Sequence, residues 1–269
     1  MGLVLISAQS TTTSIRIIQS SDDAEEAITG PFTGDTEIDS SDLEMIEDLD
    51  FQEGNQEIGL RFQNVTIPKN ALIHNAYIEF EVDEINTVTT NLNIFGEAID
   101  NAPTYFFGRP NFNITQRTKT TAFILWNIPA WNIISQKQLT PNINNVITEI
   151  VERPGWTLGN AMAFIINGTG KRVAEAWDGE AANAPLLVIN WSEDPYPNFC
   201  PSTPQNWDVD MSDNVIVNSA CNLTGFNITF TGVGNFTINS TINIDKLNNL
   251  SNGMTIFIKS GAKLNLNTN

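Results

Sequence analysis

The chain has 269 residues, 41% of them hydrophobic, which is enough to build a packed core in one large or two ordinary domains. Thirteen Lys and Arg face 31 Asp and Glu, giving a formal charge of −18. That balance excludes a nucleic-acid binder, which must neutralise phosphates, and argues against an anionic membrane surface.

Met1–Gln9, MGLVLISAQ, is apolar and closes on small residues. It reads as the remnant of a secretory signal peptide over residues 1–9, with a short buried first strand as the alternative. No apolar run is long enough for a transmembrane helix, so the sequence predicts no membrane insertion. A secreted or cell-surface location follows from the signal reading.

Ile15–Ile18 is predicted as a strand. Acidic residues then crowd together at Asp22, Asp23, Glu25 and Glu26, and again from Asp35 to Glu57, with Arg16 the lone basic residue before Arg61. Two like charges about 4 Å apart repel by about 4 kcal/mol at an effective dielectric near 20, so these side chains must splay into solvent or share a cation. Carboxylates and nearby carbonyls are the hard oxygen ligands calcium prefers. The candidate metal ligands are Asp22, Asp23, Glu26, Asp42 and Glu44, with a structural calcium as the expected cofactor. A solvated acidic face is the alternative, since no EF-hand spacing is present.

Gln56–Glu84 is the organising stretch. Ile58, Leu60 and Phe62 alternate with Gly59, Arg61 and Gln63, and Ala76, Ile78, Phe80 and Val82 alternate with Tyr77, Glu79, Glu81 and Asp83. A period of two marks half-buried antiparallel strands, here joined through the breaker Ile67-Pro68-Lys69-Asn70-Ala71 as a predicted hairpin. Leu92, Ile94 and Gly96 continue the alternation, and Thr121–Trp126 is a further strand. Thr140 and Pro141 are placed as N-cap and first residue of one short helix whose apolar face is Ile143, Val146, Ile147, Ile150 and Val151. Ala161–Ile166, Arg172–Trp177 and Leu186–Trp191 complete the strands. Many short strands with one helix predict an all-β, two-sheet jelly-roll sandwich.

The quoted residues also carry a family resemblance. LRF at Leu60–Phe62, IPKNA at Ile67–Ala71, AYIEFEV at Ala76–Val82, the Thr140–Trp156 segment and NAPLLVINW at Asn183–Trp191 together resemble the DNRLRE-type carbohydrate-binding module of secreted bacterial proteins. The resemblance covers most of residues 10–192 and implies a jelly roll, with a polysaccharide or cell-surface glycan as the partner.

Residues 193–206 read as a linker. Over 207–269 the composition shifts to Asn, Thr and Ile, with NVIVN, FNITF, NFTIN, TINI, TIFIK and KLNLN at short, unequal spacing. That pattern predicts the start of a β-helix or β-roll-like repeat region. Cys200 and Cys221 are free to pair in an exported context; two unreactive thiols are the alternative.

Catalytic constellations are sparse. The lone histidine, His74, excludes a zinc site of two or more His and leaves a Ser-His-Asp triad dependent on a turn residue. Gly168-Thr-Gly170-Lys171 lacks the phosphate-loop spacing and reads as a hairpin turn. Among the rings, Trp131 in the Pro129–Gln138 loop and Trp177 beside Asp178 are the candidate glycan contacts, because a sugar lays its C–H face on an aromatic ring and its hydroxyls on polar groups. The expected function is a non-catalytic extracellular module that binds carbohydrate or mediates adhesion. Its alternatives are the targeting part of a polysaccharide-degrading enzyme and a purely structural stalk.

Overall fold

The computed structural model describes residues 10–48, 54–193, 200–201, 203–211 and 215–267. The predicted signal remnant at 1–9 and positions 194–199 and 202 of the predicted linker lie outside the described residues. Contacts divide the chain after Glu193 into two compact units.

The first unit is built from β1 (Thr11–Arg16), β2 (Asp23–Ala27), β3 (Thr36–Glu37), β4 (Asp42–Asp48), β5 (Gly54–Phe62), β6 (Leu72–Glu84), β7 (Thr90–Glu97), β8 (Lys119–Ile128), β9 (Lys137–Leu139), β10 (Met162–Thr169), β11 (Lys171–Glu175) and β12 (Leu186–Ser192). The strands pair in the order β1-β12-β6-β11-β4-β5-β10-β7-β8, with β2 added to β5, β3 to β2 and β9 to β6. The ladders are antiparallel, and the sheet curls into a sandwich-like body around one apolar core.

β5 and β6 bury the predicted faces, with Ile58, Leu60, Phe62, Ala76, Ile78, Phe80 and Val82 all inaccessible. They are not a hairpin. β5 pairs with β2, β4 and β10, whereas β6 pairs with β9, β11 and β12, so the Pro68 breaker connects strands that are not neighbours in the sheet. The outward face of β5 is also covered. Tyr105 lies over Gly59, where a Cβ would come within 2.5 Å of the ring, so glycine is required by close approach.

Helix α1 (Asn144–Val151) buries Val146, Ile147, Ile150 and Val151 as the 3.6-residue period requires. It starts later than predicted, with Ile143 at the cap position. Thr140 and Asn142 are engaged elsewhere: their side-chain oxygens accept the β6 amides of Ile78 and Ala76, each at 3.0 Å. The strand predicted over Arg172–Trp177 stops at Glu175, and a second helical turn, α2 (Trp177–Glu180), begins at its last predicted residue.

The second unit contains β13 (Trp207–Asp210), β14 (Ile216–Val217), β15 (Cys221–Thr231), β16 (Gly234–Ile238), β17 (Thr241–Asn248), β18 (Met254–Ile258) and β19 (Lys263–Leu266). Two parallel ladders run β13-β15-β17-β19 and β14-β16-β18. Trp207 sits beside Ile228, Cys221 beside Ile242 and Gly234 beside Met254, so the chain returns to the same place about every 21 residues. Each turn uses two unlike strands alternately, which is why the sequence motifs recur at unequal spacing. Inside, Trp207 and Phe230 meet Phe236 edge-on at 5.7 and 5.3 Å. Outside, amides stack turn on turn, Asn239 donating to Asn218 and Asn265 to Asn243, each at 2.7 Å.

Cys200 and Cys221 are joined, with Cα atoms 5.8 Å apart and a sequence separation of 21. Closing a loop of that length stabilises by about 3 kcal/mol in the chain-entropy model. Reduction is therefore expected to lower the melting of the second unit by several degrees and leave the first unit unchanged. Calorimetry with and without reductant checks this, and an unmoved second transition would refute it.

Candidate functional site

Trp131 is not a platform. It is fully buried, and its backbone exchanges hydrogen bonds with Asn86 at 2.9 and 3.0 Å. Arg172, itself buried, donates to the carbonyls of Ile128 and Pro129 and draws this loop inward, so no ring face is left for a sugar. Trp177 is half-buried against the core, and its amide donates to Asp23 Oδ2 at 2.8 Å. Asp178 is exposed and accepts from Ser20 Oγ at 2.9 Å.

The five predicted metal ligands do not form one cage. Asp22 is buried and takes Arg61 and Gln63, each at 2.6 Å; the basic partner comes from β5, out of reach of any local reading. Glu26, also buried, accepts the amides of Ile114 and Thr115 and the Thr115 hydroxyl. Asp42 and Glu44 lie on β4. Among the described residues two groups of three carboxylates gather with oxygens within 4.8 Å, Asp42 with Asp83 and Glu84, and Glu81 with Glu175 and Glu180. Of the predicted set only Asp42 belongs to either.

These carboxyls are costly to ionise. Burial, then the charge of Asp83, pushes Asp42 up. Burial followed by the neighbouring charge of Asp42 raises Glu44 to about 7, and burial followed by Asp83 raises Glu175 to about 7. Burial also raises Asp23 to about 7 against the opposing Trp177 amide bond. Glu25, which accepts the Glu44 amide at 2.6 Å, is held well above the carboxylate range by burial and then by the Glu44 charge.

A different surface combines rings with amides. β8 is apolar on both sides: Trp126 and Ile128 face the core, while Phe123 and Leu125 are 47% and 66% exposed. Phe123 pairs with Phe95 on β7, and their rings stack at 5.1 Å and 23°. The next rows place Leu125 beside Asn93 and Asn167, and Asn127 beside Asn91 and Thr169. Asn93 donates to Asn167 at 3.0 Å, Asn167 donates to Glu57 at 2.9 Å, and Lys119 closes on the other Glu57 oxygen at 3.1 Å. Asn91, Asn127 and Thr169 make no side-chain hydrogen bond among the described residues. The loop carrying Tyr105 and Ile114 covers Ala24 and Ile165 on the neighbouring strands and leaves this part of the sheet open. The sequence signal for it was a strand, TAFILW, with large apolar residues at odd and even positions alike.

His74 Nε2 lies 2.9 Å from Ser192 Oγ, and no carboxylate meets the other ring nitrogen among the described residues. The pair ties β6 to β12 rather than forming a triad. Among the described residues, no helix is long and apolar enough to cross a membrane.

No protein-family model matches the chain, so the resemblance noted above rests on its quoted residues alone, and no curated protein matches it either. Among solved structures, the chain is similar to the CBM22-1 and GH10 modules of an N-terminal endo-1,4-β-D-xylanase of Clostridium thermocellum, solved with xylohexaose. The TM-score is 0.26 at 5% identity, over 81% of this chain and 37% of that one. An overlap this loose fixes neither a shared fold nor a shared ligand.

Proposed function

We propose that the first unit is a non-catalytic carbohydrate-binding module of an exported protein, and that its ligand lies on the open face of β7, β8 and β10. The observation that carries this reading is an exposed sheet face with the stacked Phe95–Phe123 pair toward one end and the uncommitted amides of Asn91 and Asn127 toward the other. Rings of this kind take the C–H face of a sugar, and carboxamides both donate to and accept from its hydroxyls. The parallel coil of the second unit, with its amide ladders, supports a spacer role for that part of the chain.

Affinity electrophoresis of the whole chain through a panel of polysaccharides tests the proposal. The unmutated protein is expected to be retarded by at least one of them, and Phe123→Ala to weaken retention about tenfold, the worth of one aromatic contact. Its melting temperature should hold within about 2 °C, since the ring is largely outside the core. Equal retention of the variant, or none by any polysaccharide, would refute the reading.

A further inference from the structure

On the strength of that glycan reading, we infer that the open face takes an uncharged polysaccharide and rejects chains bearing uronate or sulfate. Recognition of an anionic sugar needs an uncommitted cation, usually a guanidinium or ammonium held in geometry to meet the oxyanion. Here the neighbouring cations are spent. Lys119, which borders the face, is 3.1 Å from Glu57, Arg61 is 2.6 Å from Asp22, and Arg117 is 2.9 Å from Glu97 while its guanidinium lies over the Tyr105 ring. Recruiting any of them would strand a carboxylate that is already largely buried, at a cost larger than an exposed ion pair returns.

The rest of the face is built for hydroxyls. Asn91, Asn127 and Thr169 each offer both a donor and an acceptor, which match a hydroxyl that does the same; a carboxylate or sulfate accepts only and leaves the protein acceptors facing it. The formal charge of −18 opposes a polyanion before contact as well. Three strands about 4.8 Å apart give a platform about 10 Å across, enough to seat a short stretch of chain with its apolar face on the Phe123–Phe95 end.

Calorimetric titration of the whole chain with short oligosaccharides decides the matter. The neutral arm uses β-1,4-glucan, β-1,4-xylan, β-1,3-glucan and chitin oligosaccharides; the anionic arm uses oligogalacturonate and oligoalginate, with chelator and with calcium. Expected is binding in the neutral arm alone, changing less than about twofold between about 20 and about 200 mM salt because no charge pair is formed, and falling about tenfold in Phe123→Ala. Preferential binding of an anionic oligosaccharide, with or without calcium, overturns the inference while leaving glycan binding intact. Neutral binding that is indifferent to Phe123→Ala overturns the assignment of the face, and with it both readings.

Discussion

Replacing Arg172 with alanine is expected to cost the first unit about 3–5 kcal/mol, because a large buried side chain is lost and several buried carbonyls lose a donor together, and so to lower its melting temperature by about 10 °C or more. The residue is 1% exposed, and among the described residues no carboxylate pairs with it. It donates instead to the carbonyls of Val88, Ile128 and Pro129 and of its own neighbour Lys171, and to Thr90 Oγ1 at 2.8 Å. Those acceptors belong to the turn before β7 and to the end of β8, so one side chain satisfies two connections. Each carbonyl left buried without a donor costs about 1–3 kcal/mol. Lysine should recover only part of the loss, because a point ammonium cannot fork to both connections. Thermal denaturation of the alanine and lysine variants checks this; a fall of less than about 3 °C for alanine would show that water replaces the guanidinium at little cost.

The second large effect is an unusual pH dependence. Asp23, Glu44 and Glu175 are raised to about 7, and Glu25 is held well above the ordinary carboxylate range, through burial first and neighbouring groups next. In the unfolded chain all four release their protons near pH 4. Between about pH 4 and about pH 7 the folded state therefore holds protons that the unfolded state has lost, and ∂ΔG/∂pH for unfolding is negative. This stability is fully present below the unfolded values and is lost as pH rises through the folded ones. The melting temperature is expected to be higher at pH 5 than at pH 7.5 by about 5 °C or more, the reverse of the acid-labile behaviour of a protein held by ionised carboxylates. Glu25→Gln mimics the protonated side chain, and should flatten the profile and raise the pH 7.5 value by about 3 °C. A melting temperature that is level or rises from pH 5 to 7.5 would mean that these groups ionise in the folded state without penalty.

How much of this was legible in the sequence depends on range. The inward faces of β5 and β6 and the apolar stripe of α1 follow from local periodicity, and the structure places them as read. Pairing did not follow, because alternation says which way a side chain points and nothing about which strand lies beside it. β2 was missed for a related reason. Its sequence DAEEA reads as crowded carboxylates that share a cation or face solvent, yet all five residues are buried, with amides of Trp177, Glu44, Ile114 and Thr115 donating to its carboxylates. Trp131 was misread because the residue that draws its loop inward, Arg172, lies 41 positions away in the chain. Phe123 and Leu125 were visible as a doubly apolar strand, but their exposure depends on the Tyr105 loop covering the adjoining strands and stopping short of them.

The parallel register of the second unit sets a rule for how such a chain changes length. Insertions of a few residues throw the stacked amides and the inner rings out of line, whereas adding or removing a whole turn preserves every contact between neighbouring turns. Each turn of about 21 residues advances the coil by one strand spacing of about 4.8 Å. Reach in this fold is thus quantised, and gene-level duplication of one turn moves whatever it carries by one fixed step.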